Sequence, residues 1–597
     1  MKIDLFQLFK DLFIIYFAWI IFATAFHQWG SLVFRKLRLR LVGVSAFFSK
    51  IWLGWMICIL FFSVIHIFVP INWISSFFFY VPASIVFFYN HFSSIKLFLK
   101  SIDKRVLFAV LAFIFIVSLF CLQECSRSDS CMYHLNTIRW LNEFSVVPGL
   151  GNLHSRLGFN QSYFVYCASI RFFPFFNDYG KNIATSLILL ILCIELILTR
   201  KGLDLVILAF FHLLPFSFYW TSSPNPDIAS IVLQLVMFRY MINAGEAWNK
   251  AENKEDTFYS NVIMAALMGV TSVTVKLSNG FYAICLGIVA ITFAFKLGLD
   301  DVSKIKLRKA LILTVMFVGT WLVRGYIQTG YPLFPVTICG IDTEWTVSPE
   351  AAKIAEQSVY TFSRLLNYDF NSQLLKDYKW LPKWIDGYVN PYPVNMKEKD
   401  DPNVKTPAVK LLALLHPNTL QKFGYGMAVC LLLTLVIFIA CMVKSGSYIF
   451  KSCRWLLSLM FTALFALLCW FFTAPDPRFC NALCLIMLCI SFKLLKVAWP
   501  SMSLSNKCKN LVILIPFLTY FMAYFVVLGS GVYELTGLQV SVAKELPYKC
   551  TDSGLKVTLI YENEWPFDTY LLSNYATEFN PSLRLRGKTL QEGFSVK

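Results

Sequence analysis

Long uninterrupted apolar runs alternate with short polar connections along nearly the whole chain. The runs are near the roughly 20 residues that carry a helix across a bilayer, and they lack the strict alternation of a barrel strand. We therefore expect helices, which satisfy their own backbone hydrogen bonds in lipid. The pattern predicts fourteen spans, centred near Phe22, Cys58, Val81, Phe115, Leu190, Phe211, Leu235, Leu267, Val289, Phe317, Leu435, Leu464, Met487 and Leu518. Residues 1–528 form a transmembrane domain in this reading, with long outer loops at 124–181 and 330–421, and residues 529–597 form a small C-terminal domain. The predicted fold class is an all-α polytopic membrane protein.

Basic residues fix the orientation. Clusters such as Arg35-Lys36-Arg38-Arg40, Lys104-Arg105, Arg200-Lys201, Lys304-Lys306-Arg308-Lys309 and Lys493-Lys496 all fall on one side if the fourteen spans are real. Positive connections are retained in the cytoplasm. Both chain ends then lie outside it, and the apolar start is expected to be a retained first span rather than a cleaved leader. Composition agrees: 57% of the 597 residues are hydrophobic, 58 are Phe, and only 15% are charged. The formal charge of +18 is dispersed over many short loops, so it reads as topology and not as a nucleic-acid surface.

With so few charges, their concentration between Glu124 and Phe176 stands out. This polar island holds Asp129, Tyr133, His134, Arg139, Glu143, His154 and Arg156. Asp129 and Tyr133 are four apart and share a helix face; the carboxylate suits a general base, or a metal position, with His134 assisting or orienting the acceptor. Asp129 is also a candidate helix N-cap, and Ser128 or Ser130 a more ordinary one. The run from Pro148 to Asn160 has three glycines that permit tight backbone turns and close ligand approach, with His154, Arg156 and Asn160 as donors to a sugar or phosphate. The aromatic segment from Ser162 is expected to lie along the membrane surface.

Other polar motifs fall at the same outer level: Ser222 to Asp227, Lys276 to Gly280, Arg324 with Gly330 to Pro335, and Ala474 to Phe479. Proline beside acid at a helix end is turn chemistry first. Yet Lys276, Arg324 and Arg478 are three cations near the boundary, where charge is costly. Together they suit a lipid phosphate, unless they are anchors or ion pairs with Asp227 and Asp476. Of the 17 cysteines most sit in spans; Cys125 and Cys131 are equally readable as a local disulfide or two thiols. No zinc spacing, Walker A motif or dinucleotide fingerprint is present. In the loop from Gly330, PEAAKIAEQSVYTFSRLL looks helical, and Trp380, Trp384, Tyr388 and Tyr392 suit either sugar stacking or a lid on lipid headgroups.

An acid in the first large outer loop, met at the rim by further outer loops, resembles the GT-C superfamily of glycosyltransferases that use polyprenyl-phosphate-linked sugars. The strings DSCMYH, VVPGLGNLHSRLGFN, SPNPD, RGYIQTGYPLFP, APDPRF and LRLRGKTLQEGF also resemble a large bacterial family of membrane proteins. The resemblance implies an inverting sugar transfer to an acceptor hydroxyl at the outer face of the inner membrane, with Asp129 as base. The chain departs from that pattern in having four spans before the acid, where one is common, and in lacking an Asp-x-Asp, which leaves a divalent metal open and no cofactor required. The expected partners are a polyprenyl-phosphate sugar donor, a lipid, glycan or protein acceptor, and the bilayer. Two rivals remain: an O-antigen-type polymerase, separable by product chain length, and a flippase, which demands ionisable groups at the midplane.

Overall fold

The computed structural model describes residues 5–123, 125, 129–170, 180–211, 221–248, 254–365, 372–389, 424–529, 545–561 and 569–596. Twelve helices within them are long and apolar enough to cross a membrane. They are α1 (Leu5–Lys36), α2 (Gly43–Phe68), α3 (Trp73–Ser101), α4 (Lys104–Cys121), α5 (Gly180–Thr199), α6 (Pro226–Trp248), α7 (Lys254–Val275), α8 (Gly280–Leu297), α9 (Asp301–Thr329), α10 (Tyr425–Ser452), α11 (Arg454–Thr473) and α12 (Asn481–Ala498). Each coincides with one expected span. Of the other two expectations, Leu518 lies in the described helix Ile515–Gly529 and Phe211 lies two residues past Gly202–Ala209; both helices are too short to span, and residues 530–544 after the first and 212–220 after Phe211 lie outside the described set.

Burial sorts the helices into a centre and a rim. Nearly every side chain of α6 is buried, and α5 and α12 are mostly so. By contrast α3, α8, α10 and α11 expose large apolar side chains such as Phe78, Ile284, Leu435 and Phe461, the surface that lipid covers. Small residues let backbones meet where side chains would not fit. A Cβ on Gly30 would lie 1.6 Å from the Lys50 carbonyl oxygen, and one on Gly54 1.7 Å from that of Phe26, so α1 and α2 cross at these two glycines.

The two ends of the bundle differ in charge. At one end Arg40 pairs with Asp256 at 2.9 Å, Lys306 with Asp256, Lys493 with Glu246, and Lys309 Nζ reaches Lys36 O at 2.9 Å. All come from connections that the basic clusters place on one side. Just inside this end, Arg239 holds Glu195 and Asp204, and Trp52 Nε1 donates to Glu195 at 2.9 Å. Arg239 is twelve residues along α6 from Asp227, or about 18 Å at 1.5 Å per residue, so Asp227 belongs to the other end.

That other end carries the polar island. A π-turn, Ser130–His134, leads into the helix Leu135–Glu143, followed by short turns at Leu150–Leu153 and Ser155–Phe159 and the helix Ser162–Ser169. The last of these is a correction: its side chains are buried, with Tyr163 bonded to Thr185 and Tyr166 to Ala184 O, so Ser162–Ser169 is a buried piece of the core rather than a surface helix, and the rest of that aromatic segment, 171–176, lies outside the described residues. Its tyrosines find polar partners on α5, which removes the reason for them to sit at the headgroups.

Over the island lies the C-terminal segment, with strands β1 (Tyr548–Cys550), β2 (Lys556–Ile560) and β3 (Ser573–Tyr575) in one sheet and β4 (Arg584–Leu585) with β5 (Phe594–Ser595) in another. Val557, Leu583 and Phe594 pack on Trp140, Val147, Leu150, Leu153 and Leu157. Asn136 Nδ2 donates to Tyr570 O at 2.6 Å, and Phe594 N to Pro148 O at 3.0 Å.

Candidate functional site

Four separate stretches bring charge together at the island end. Asp227 sits in the first turn of α6, where its own N–H donates to Asn225 Oδ1 at 2.7 Å; an acid is favoured there by the helix dipole. Lys276 follows α7. Its neighbour Asn279 accepts from Ser230 and Gln234 of α6, both at 2.7 Å, and donates to Ser272 O at 2.9 Å, which fixes the turn so that Lys276 pairs with Asp227. Asp476 and Arg478 lie in the turn between α11 and α12. Asp476 Oδ1 accepts from Arg478 N at 2.9 Å, and its Oδ2 takes Arg478 Nε at 2.8 Å and Nη2 at 2.7 Å.

That last turn is itself held from outside. Buried Arg364 donates to the carbonyls of Thr473 at 2.9 Å and Phe472 at 2.8 Å, closing the C-terminus of α11. Trp384 Nε1 reaches Pro475 O at 2.7 Å and Trp470 Nε1 reaches Asp476 O at 2.8 Å. Trp380 and Trp384 are buried against Trp470 and Phe471, so the structure assigns both to packing, in place of sugar stacking or a headgroup lid. The side chain of Tyr388, and Glu124, Ser128 and Tyr392 entirely, lie outside the described residues.

Asp129 completes the group. It occupies the N-cap position of the π-turn yet makes no side-chain cap bond; Oδ2 instead stands 3.7 Å from Arg478 Nη1, and the side chain is 41% exposed. Its neighbours Asp227 and Asp476 are only 11% and 7% exposed and closely paired. Asp129 is thus the accessible carboxylate of the three. Burial alone would depress the Arg478 guanidinium, but Asp476, Asp227 and Asp129 outweigh it and hold it well above its ordinary range. Burial pulls the Lys276 ammonium below its usual range, with Asp227 opposing in part. Phe479 lies under Lys276 at 3.4 Å.

Tyr133, His134 and Arg156 form the wall behind Asp129. His134 is 2% exposed, its ring meets Tyr133 edge-on at 4.4 Å and Phe164 at a tilt at 5.0 Å, and its Nδ1 meets Ser130 Oγ at 3.0 Å. Burial drives its pKa down to about 4, so the ring is neutral near pH 7 and backs the site without opening onto it. Arg156 donates to Ser358 Oγ at 2.9 Å and lies beside Tyr575 of β3 and Asp129. Tyr575, with Glu578 bonded to Ser155 at 2.7 Å, is a contribution that no sequence motif pointed to, because it comes from more than 400 residues away.

Three expectations are corrected. Arg324 does not join Lys276 and Arg478: it faces the island's far side, where its Nε reaches Asn160 Oδ1 at 3.3 Å. Asn160 serves the protein, not a ligand, donating to Trp321 O at 2.7 Å and accepting from Trp321 Nε1 at 2.8 Å. His154 is buried, accepts from Arg156 N at 3.1 Å, and meets the Tyr575 ring edge-on at 4.8 Å. The island glycines likewise admit protein: a Cβ on Gly149 would meet Phe594 O at 2.2 Å and one on Gly158 would meet Thr329 at 2.7 Å.

Cys125 and Cys131 are not joined to each other. Cys131 donates to Cys125 O at 3.1 Å, while Cys125 Sγ meets Ser223 Oγ at 3.3 Å. Among the described residues, no three of His, Cys, Asp and Glu are grouped to hold a metal ion.

No curated protein and no solved structure matches the chain. A family model described as a domain of unknown function, DUF8201, matches residues 12–392, a stretch that runs from α1 past α9 and contains Asp129, Asp227 and Lys276. Covering more than half of the chain, that match makes this protein a member of the DUF8201 family.

Proposed function

We propose that the protein is a GT-C-type glycosyltransferase of the bacterial inner membrane, with the island end outside the cytoplasm. The reading assigns a polyprenyl-phosphate sugar as donor and a lipid, glycan or protein hydroxyl as acceptor. The observation that carries it is the pairing of one accessible carboxylate, Asp129, with a guanidinium whose nearest donor is only loosely engaged at 3.7 Å. The orientation follows from the basic clusters at the opposite end.

In the resting geometry no sugar ring fits between Asp129 and Arg478. The donor phosphate therefore takes the place of Asp129 at Nη1, while Asp476 keeps Nε and Nη2; Lys276, a point charge with two further donors, meets the same phosphate. The displaced carboxylate then faces the acceptor. It takes the hydroxyl proton as the acceptor oxygen bonds to the anomeric carbon, and the carbon–oxygen bond to phosphate breaks with its electron pair on the phosphate, where the two cations stabilise it. His134 and Arg156 are positioning residues.

Incubation of the purified protein with a panel of polyprenyl-phosphate sugars and mass spectrometry of the products tests the reading. Transfer or sugar hydrolysis that is lost in Asp129→Asn supports it; turnover by that variant, or inertness of the wild type toward the whole panel, rejects it.

A further inference from the structure

On the far side of the island is a second polar site. A cavity of about 20 Å³ is lined by Arg156, Arg324, His66, Asn160, Gln161 and Gln328 among others, and no carboxylate lines it. Arg324 is 3% exposed, pairs with no acid among the described residues, and leaves Nη1 buried without a hydrogen-bond partner. The side-chain oxygens of Gln161 and Gln328 are buried beside it without partners too, but as acceptors they offer nothing to an anion. Arg324 Nη1 is thus an unspent donor beside one small space, and two of the lining side chains are guanidinium groups.

Water alone would answer the hydrogen bonds but not the charge, since a buried cation is stable only when paired. The space decides the size of the partner. A single water needs roughly 10–15 Å³ measured in this way, so the cavity holds one particle of that class and is too small for a phosphodiester. We propose that it binds one small monovalent anion, chloride by size, held by Arg324 Nη1. The anion neutralises the guanidinium where α9 meets the island and so clamps α2, α9 and the island together. The cavity shares Arg156 with the wall behind Asp129, but the inference rests on Arg324 and does not depend on the transfer reading.

The test uses the full-length protein in detergent, with its melting temperature followed as sodium gluconate is replaced by sodium chloride at constant ionic strength. We expect a saturable rise for the wild type, weakened by about tenfold or more in apparent affinity in Arg324→Gln and unchanged in Arg586→Gln, whose side chain pairs with Glu344 elsewhere. Should Arg324→Gln fail to fold, a bromide soak of wild-type crystals gives the same answer, with anomalous density expected beside Arg324. Coincident wild-type melting curves in chloride and gluconate, an unaltered chloride response in Arg324→Gln, or no bromide peak would each overturn the proposal.

Discussion

Arg478 Nη1 stands 3.7 Å from Asp129 Oδ2, a full ångström farther than its own Nη2 stands from Asp476. In the proposed transfer, the looser contact is the one that yields to the donor phosphate. Asp129→Asn is expected to lower transfer by about 10²-fold or more, the usual worth of a general base, yet to shift stability by no more than about 0.5 kcal/mol, since the side chain is half-exposed and caps nothing. Product formation and thermal unfolding, measured on the same preparation, separate the two effects.

Lys276 and Asp227 form the buried counterpart of that open pair. Removing the cation alone in Lys276→Met strands a carboxylate at 11% exposure, a loss of about 3–5 kcal/mol for a buried pair. The double variant Lys276→Met with Asp227→Asn restores much of it. A double-mutant cycle on melting temperature reads the coupling; equal stability of the single and double variants would show that the pair is not buried in the working protein.

Much of this arrangement was legible beforehand, and the part that was not follows from the solvent. Apolar runs and basic connections gave the depth of each residue, so the shared level of Asp129, Asp227, Lys276 and Arg478, at the end away from the basic clusters, followed directly. Depth is not direction. Lipid is as apolar as the core, so a span such as α9 carries little sign of which face meets protein, and Arg324 was assigned to the right level but the wrong side of the island. Tyr575 and Arg364 left no trace because their partners are distant in sequence and their roles depend on packing. The three island glycines were expected to admit a ligand, but what approaches them is Thr329 and Phe594.

Arg364 has its own consequence. It holds the carbonyls of Phe472 and Thr473, and the turn they begin presents Asp476 and Arg478. Arg364→Met removes these bonds without touching the proposed substrate. We expect faster hydrogen exchange across residues 474–479 and a raised KM for the donor, with kcat changed less, while Arg364→Lys recovers only part because one ammonium cannot serve two carbonyls in a fixed fork.

His134 links stability to pH. Its imidazole titrates near 6.5 in an unfolded chain and at about 4 in the folded one, because burial disfavours the cation. Between those values the unfolded state binds more protons, so stability is full above pH 6.5 and falls as pH drops toward 4, where the loss levels off. The shift corresponds to roughly 3 kcal/mol. His154, at about 3 for the same reason, extends the fall below pH 4. In His134→Gln, melting temperature measured from pH 7 to 4 should decline less steeply than in the wild type; parallel curves would mean that the ring titrates in the native protein as it does in the unfolded chain.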